Sequence, residues 1–439
     1  MTHQPPLRRR SFLSGMGLAG LSALGVGTLA GCSGGSGGSF GQFTWSTWGG
    51  PSEVRRLKEF TEDFNKRHPK IQARLVSVPT DGYRSKLQTQ LSGGAAPDVF
   101  YANDDLLSRL IRDKTVAPLR SRLEGPGSKS PVKDFSEGLW GAARQEDGEI
   151  YGVPVDCNPI VMWFNKSVLA DAGVGEEPTR TFESGNWNRD TFQSVAEKIR
   201  DNGKSAAAVG SDWLGVYAWL TAGGGKVYDE DSFVAHEDPK SVEAFEWLHE
   251  MLESKTFTYI GSLPEGQGQE ALFMSNNVGF ATGVGRWLLP VISESSGLEY
   301  DIVPYPSADG SLPSTPMATA YMAINAKAVK KEEAFQFLTD FVSVAGQRFR
   351  LAGAGNAVPS IEGAEDVLAE SDTPETVQYW FDLRAKGYSL PIPEARTPGL
   401  SDAISRKIDV LWTGGGGNAR AALRDIGENA NRMITEAGA

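Results

Sequence analysis

Residues 71–114 read IQARLVSVPTDGYRSKLQTQLSGGAAPDVFYANDDLLSRLIRDK. Ile71 to Val78 is rich in apolar and β-branched residues, which predicts a strand. Tyr83 to Leu91 predicts a polar-faced helix closed by Gly93-Gly94. Asp98 to Ala102, behind Pro97, predicts a short apolar strand, and Asp104 to Lys114 a further helix. Upstream, Phe40 to Trp45 is another strand candidate. Glu53 to Arg67 then carries Val54, Leu57, Phe60 and Phe64 at helical spacing, and His68-Pro69 stops it. Strand and helix alternate along this whole stretch. That order predicts a parallel sheet with helices on its faces, an α/β fold.

The pattern changes downstream. Glu149 to Pro154 reads as a strand, and Ile160 to Phe164 as a second one after a turn at Asn158-Pro159. Helices are predicted at Asp190 to Arg200 and Val242 to Leu252. Val278 to Thr282 is a strand that ends in Gly283-Val284-Gly285-Arg286-Trp287, and Tyr321 to Ile324 is another. Ala334, Phe337, Leu338, Phe341 and Val342 mark an amphipathic helix. A last helix is predicted from Ala419 to Ile434.

The first 32 residues have a different character. Arg8-Arg9-Arg10-Ser11-Phe12-Leu13 is a basic start with the pattern Arg-Arg-x-Phe-Leu, and Leu18 to Leu29 is small and apolar. Six glycines, at 15, 17, 20, 25, 27 and 31, make the span a poor membrane anchor. The layout is that of a secretory signal, and Arg9-Arg10 resembles the bacterial twin-arginine export signal. Leu29-Ala30-Gly31-Cys32 resembles the lipobox of bacterial lipoproteins. The expectation is a signal peptide over 1–31, a lipid on Cys32 and a Gly/Ser tether over 32–39. The protein would then be extracytoplasmic and anchored to the bacterial cell membrane.

Loss of residues 1–31 removes three Arg and no acid, which leaves 40 basic and 55 acidic residues, net −15. That balance argues against nucleic acid and anionic lipid as partners. About 400 residues exceed one core and suggest two domains. Cys32 and Cys157 are the only cysteines. With Cys32 lipidated, Cys157 has no disulfide partner and reads as a small packed side chain. The four His show no metal-ligand spacing and no phosphate-cradling motif is present, so neither a metal nor a cofactor is expected.

Several segments together resemble the maltose-binding-protein-like group of extracellular solute-binding proteins. They are Phe43-Thr44-Trp45-Ser46, Tyr83 to Leu87 leading through Gly93-Gly94-Ala95-Ala96-Pro97-Asp98-Val99, Tyr151 to Asp156, and Trp163-Phe164-Asn165-Lys166. Asn186-Trp187, Gly279-Phe280 and the helical region Ala334 to Gln347 also fit. The likeness extends over most of residues 40–360. It implies two α/β lobes joined by a hinge of crossing strands, with the ligand cleft between them. Crossings near residues 155 and 318 would put 40–155 plus 319–365 in the N-terminal lobe and 156–318 plus 366–439 in the C-terminal lobe. It also implies a monomer without chemistry of its own, which closes on a solute and delivers it to the permease subunits of an ABC transporter.

Ligands of open α/β sheets bind beyond the carboxyl ends of strands. That rule selects Thr47 and Trp48, Asn103, Asp104 and Asp105, Asp156 and Asn158, and Arg286 and Trp287. This polar and aromatic mixture suits a carbohydrate, whose rings stack on Trp and whose hydroxyls need donors and acceptors. The resemblance places Thr47-Trp48, Asp105, Asn158 and Trp287 where binding residues of the group lie. It adds Trp213, before a helix near Gly223-Gly224, and Asn356, after the Gly353-Ala354-Gly355 turn. The sequence departs from the maltose receptor at Ala102, where that protein carries an aromatic, so a different ligand geometry is expected. Structural roles compete at some positions. Asp104 reads as a helix N-cap, Asp105 could serve the helix dipole, and Trp45, Trp163, Trp219 and Trp247 read as core.

A di- or oligosaccharide is the expected solute. A phosphorylated polyol or peptide is the alternative within the same fold; a phosphorylated ligand would want several basic residues, and Arg286 is the clear one at the strand ends. A secreted carbohydrate-active enzyme is the alternative outside it, with Asp105 and Asp156 as a conceivable carboxylate pair. A lipoprotein that only senses or scaffolds would share the fold.

Overall fold

The computed structural model describes residues 41–264, 267–370, 374–414 and 417–438; the signal segment, the tether and Cys32 lie outside these. The first sheet begins as expected, with β1 (Gly41–Trp48), α1 (Pro51–Arg67), β2 (Ile71–Val78), α2 (Thr80–Ser92), β3 (Val99–Ala102) and α3 (Asp104–Arg112). β1 pairs in parallel with both β2 and β3. Apolar residues of α1 recur at helical spacing, so Leu57, Phe60 and Phe64 are all buried against the sheet. β1 runs three residues beyond its expected end, through Ser46, Thr47 and Trp48, because β2 pairs with it over its full length. Thr47 and Trp48 are therefore the last residues of the strand rather than residues that follow it.

β4 (Val153–Pro159) and β5 (Val161–Asn165) are consecutive in sequence but belong to different sheets. The expected turn at Asn158-Pro159 is extended strand. Asp156 and Asn158 lie within β4, opposite Ala320 and Ala318 of a later strand. That antiparallel partner supplies the backbone hydrogen bonds that keep the segment extended, and Pro159, without an N–H, ends it. The first crossing therefore falls at 159–161 rather than near 155.

The second sheet is built from β5, β6 (Ser205–Val209), β7 (Phe257–Tyr259), β8 (Val278–Val284) and β9 (Tyr300–Val303) in the order β9-β5-β8-β6-β7. β8 is parallel to β6 and antiparallel to β5. Helices α4 (Arg189–Asp201), α5 (Trp213–Ala222) and α6 (Pro239–Glu253) pack on this sheet. The chain returns through β10 (Met317–Ile324), which inserts between β3 and β4 to complete the first sheet as β2-β1-β3-β10-β4. The return crossing thus lies between Val303 and Met317, ahead of the expected residue 318. Because β10 is antiparallel to both neighbours, the first sheet is mixed rather than wholly parallel.

α7 (Lys331–Phe341) closes the first lobe. Its Phe337 ring lies 5.2 Å from Trp45, 5.0 Å from Phe64 and 5.5 Å from Phe43. After α8 (Val344–Leu351) the tail does not stay with one lobe. α9 (Gln378–Lys386) lies on β4, and α10 (Ile392–Arg396) rests on α3. α11 (Leu400–Trp412) and α12 (Ala419–Ala437) join the second core beside α6. α9 also packs its Trp380 ring 5.5 Å from Trp163 of β5, so within 366–439 it is α10 that departs from the expected second lobe by resting on α3. Trp45, Trp163, Trp219 and Trp247 are all core, as expected.

Phe337→Ala removes the ring around which the first core is organised. It should cost about 3–5 kcal/mol of stability. Urea unfolding would measure it, and a loss below about 1 kcal/mol would mean that the neighbouring rings refill the space.

Candidate functional site: a cleft between two sheets

Two cavities lie along the boundary between the lobes. The first is about 290 Å³ and is walled by residues from distant parts of the chain: Arg84 on α2, Asn103, Asp104 and Asp105 beyond β3, Asp212 and Trp213 beyond β6, and Thr319 on the crossing strand β10. Ser401, Asp402 and Ser405 on α11 complete it. The second, about 230 Å³, joins Glu53 and Arg56 of α1 to Ser293 and Glu294 of the second lobe and to Arg350 and Asn356. Four residues of the first wall, Asn103, Asp104, Asp105 and Trp213, and one of the second, Asn356, are those that the sequence singled out.

The strand ends explain the convergence. β3 and β6 each stop at the cleft and hand over to a helix whose first turn faces it. At α5 the N-cap is Asp212, whose Oδ1 accepts from the Gly215 N–H at 3.0 Å. Trp213 follows as the first helical residue and stays half-buried. At α3 the arrangement differs from the expected one. Asn103 takes the N-cap position without a side-chain cap, and Asp104 is the first helical residue. The Asp104 carboxylate turns inward, where Tyr321 donates to it at 2.9 Å and the Ala142 N–H at 3.5 Å. Burial pushes its carboxyl up to about 7, against the pull of the Tyr321 hydrogen bond. Asp105 stays half-buried and pairs with Arg84.

Six of the selected residues line neither cavity, and they differ in what they do. Trp48 is half-buried, edge-on to Tyr83 at 5.1 Å and to Tyr101 at 5.3 Å. Thr47 is fully buried and its hydroxyl donates to the Trp48 carbonyl at 2.7 Å. Asn158 accepts from the Arg286 N–H at 2.8 Å. A side chain at Gly285 would come within 2.5 Å of Asn158 Cβ and 2.6 Å of the Trp287 ring. Only glycine therefore lets Asn158 and the half-buried Trp287 close over that turn.

Arg286 and Asp156 are structural in their bonding. The Arg286 side chain is completely buried, and its guanidinium donates to the carbonyls of Leu351, Ala357 and Gly353 at 3.2, 2.9 and 2.5 Å. It ties the loop after α8 to the second lobe and is not a free cation at a strand end. Asp156 is buried and paired with Arg350 at 3.1 Å. Burial pushes the Asp156 carboxyl up while Arg350 pulls it down. Cys157 is packed and its thiol is pushed up to about 12 by burial, so it is inert as a nucleophile.

Sequence reasoning missed Arg84, Asp212, Glu53, Thr319 and the α11 residues. Glu53 sits in the first turn of α1, where it reads as a dipole-compatible helix residue. Its carboxyl is pushed up to about 7 by burial and by the Asp156 charge. Thr319 is 4% exposed and its hydroxyl has no hydrogen-bond partner among the described residues. Nothing in local pattern marks either one, because the cavity brings together residues more than 200 positions apart.

Asp104 offers a test of this electrostatic setting. Its folded value lies above its ordinary 3.8, so its contribution is favourable below about pH 4 and is lost as pH rises through about 7. Asp104→Asn keeps an acceptor for Tyr321 and removes the titration. The stability of the wild type relative to this variant should fall by at most about 4 kcal/mol between those limits. Denaturant unfolding across that range measures it; a difference that does not change with pH would mean that Asp104 is ionised throughout.

Comparison with known proteins adds to this geometry. The model of the family described as bacterial extracellular solute-binding protein matches residues 50–348. A putative ABC transporter periplasmic-binding protein of Escherichia coli is 33% identical over 144 residues, 31% of this chain and 30% of that protein. An arabinooligosaccharide-binding protein of Halalkalibacterium halodurans is 24% identical over 202 residues, 44% of this chain and 41% of that protein. The matches span less than half the length of these two curated relatives. An ABC substrate-binding protein of Listeria monocytogenes, solved in complex with cycloalternan, shares the fold with a TM-score of 0.79 at 21% identity, over 90% of this chain and 100% of that one. Two lobes, a cleft at the strand ends and a match over most of the folded residues lead to one conclusion: the chain belongs to the bacterial extracellular solute-binding proteins, a family that acts outside the cytoplasm.

Proposed function

We propose that this protein is the receptor of an ABC sugar importer, which captures a di- or oligosaccharide between its lobes and presents it to the permease subunits. The observation that carries the reading is the 290 Å³ cavity, where carboxylates, an amide and hydroxyls stand beside the half-buried Trp213. Sugar hydroxyls need such partners, and a sugar ring needs an apolar face. Family membership and the named ligands of the two relatives above support it. We place Trp48, Asn103, Asp105, Asn158, Trp213, Trp287 and Asn356 at the ligand, with Thr47, Asp156 and Arg286 supporting them from behind. The twin-arginine-like start and Leu29-Ala30-Gly31-Cys32 support export and anchoring by a lipid on Cys32.

The alternatives have weaker support. A glycosidase needs two carboxylates free to act as acid and base or nucleophile. Asp105 is engaged by Arg84, and Asp156 by Arg350 inside the protein. A phosphorylated polyol needs uncommitted cations, and in the first cavity Arg84 is the one basic lining residue.

A thermal-shift screen against mono-, di- and oligosaccharides, with amino acids and phosphorylated polyols as controls, tests the reading. Stabilisation by one sugar class, with the sugar recovered intact, is the expected outcome. A response to phosphorylated polyols alone would overturn the carbohydrate assignment, and product release would make the protein an enzyme. Trp287→Ala should then weaken binding of that sugar by about 1–3 kcal/mol with little change in folding. Unchanged affinity in calorimetry removes Trp287 from the site.

A further inference from the structure

The charge balance of the 290 Å³ cavity says more about the sugar. Four lining residues are carboxylates, Asp104, Asp105, Asp212 and Asp402, against one guanidinium. That guanidinium, Arg84, is already bonded to Asp105. Asp402 is exposed on α11, with no ion pair among the described residues. A fifth carboxylate, Glu394, lies behind the wall. It accepts from Tyr217 at 2.7 Å and Tyr228 at 2.9 Å, and the charge of Asp105 adds to the burial that pushes its carboxyl up. Burial pushes Asp104 up as well. Of the four lining acids, Asp105 alone has a cationic partner among the described residues; Asp104, Asp212 and Asp402 have none.

A metal ion does not fit this arrangement. Among the described residues no three carboxylate, histidine or cysteine side chains stand close enough to hold one. The acids surround a volume instead of converging on a point. Into the same volume faces Thr319, whose hydroxyl is buried and has no hydrogen-bond partner among the described residues. The half-buried Trp213 adds an aromatic wall. An organic ammonium group matches this set: it offers three N–H donors to separate acceptors, and an aromatic face attracts it.

We propose that this end of the cleft selects saccharides that carry a protonated amine, with Asp402 as its charge partner and the Thr319 hydroxyl as a further acceptor. The inference rests on the saccharide-receptor reading above and narrows it to an amino sugar with a free amine.

Calorimetric titration of the purified protein with three disaccharides tests it: glucosamine disaccharide below the pKa of its amines, the same sugar N-acetylated, and a neutral glucose disaccharide. The aminated sugar should bind about tenfold tighter than its acetylated form, because a charge-assisted hydrogen bond replaces a neutral one. Added salt should shrink that gap. Asp402→Asn, an exposed substitution that leaves the fold intact, should weaken the aminated sugar by about threefold and leave the acetylated one unchanged. Equal or tighter binding of the acetylated or neutral sugar overturns the amine preference and leaves the saccharide reading standing. If no saccharide of the wider screen binds, both fall.

Discussion

The antiparallel pairing of β10 with β4 is the constraint on which the rest of the structure depends. Each strand joins the lobes at one of its ends, so their shared ladder ties the two crossings together inside the first sheet. It also sets the register of the cleft floor. Ala318 stands opposite Asn158 and Thr319 opposite Cys157, and both Ala318 and Thr319 reach the cavity wall. A one-residue slip would reverse the inward and outward faces of both strands.

Buried charge reinforces that ladder at two places. Arg350 reaches from α8 to the Asp156 carboxylate at 3.1 Å and to the Val155 carbonyl at 2.6 Å, with its guanidinium 3.9 Å from the Phe341 ring. Arg286 reaches from the second lobe to three carbonyls between residues 351 and 357. Neither arrangement is a cheap source of stability, because each cation is removed from water. What they provide is position. One fixes the end of α8 against β4, and the other fixes the loop after α8 against the turn that holds Trp287. A neutral side chain of similar size could fill either space but could not satisfy those carbonyls.

The alternation of strands and helices from residue 40 to 114 was legible because each element carries its own period. The helices in the second lobe were legible for the same reason. Strand ends were not. Ser46 to Trp48 and Val155 to Pro159 carry no local strand signal strong enough to outweigh their Thr, Asn, Asp and Pro; partner strands far away in sequence decide them. The rule that ligands sit beyond strand ends found Asn103, Asp104 and Asp105 at the cavity, and the resemblance added Trp213. It gave the wrong role to Arg286, since burial and three distant carbonyls are invisible in a local motif. Asp104 shows the same limit. Its place at the start of α3 was readable, but its turn inward depends on Tyr321 of β10, more than 200 residues later.

The tail makes the remaining difference. α10 rests on α3 of the first lobe, while its Glu394 is held by Tyr217 and Tyr228 of the second. Arg396 adds an ion pair to Glu146 at 2.9 Å. The tail is thus a third connection between the lobes, and the residues after it, Ser401, Asp402 and Ser405, form one wall of the larger cavity. The tail itself lies beyond residues 50–348, the part that matches the family pattern. The common segments of the family build the two sheets and their crossings. The wall that bears the unpaired carboxylate comes from a part of the chain that the pattern does not describe, so ligand preference can change there while the fold and the crossing ladder stay the same.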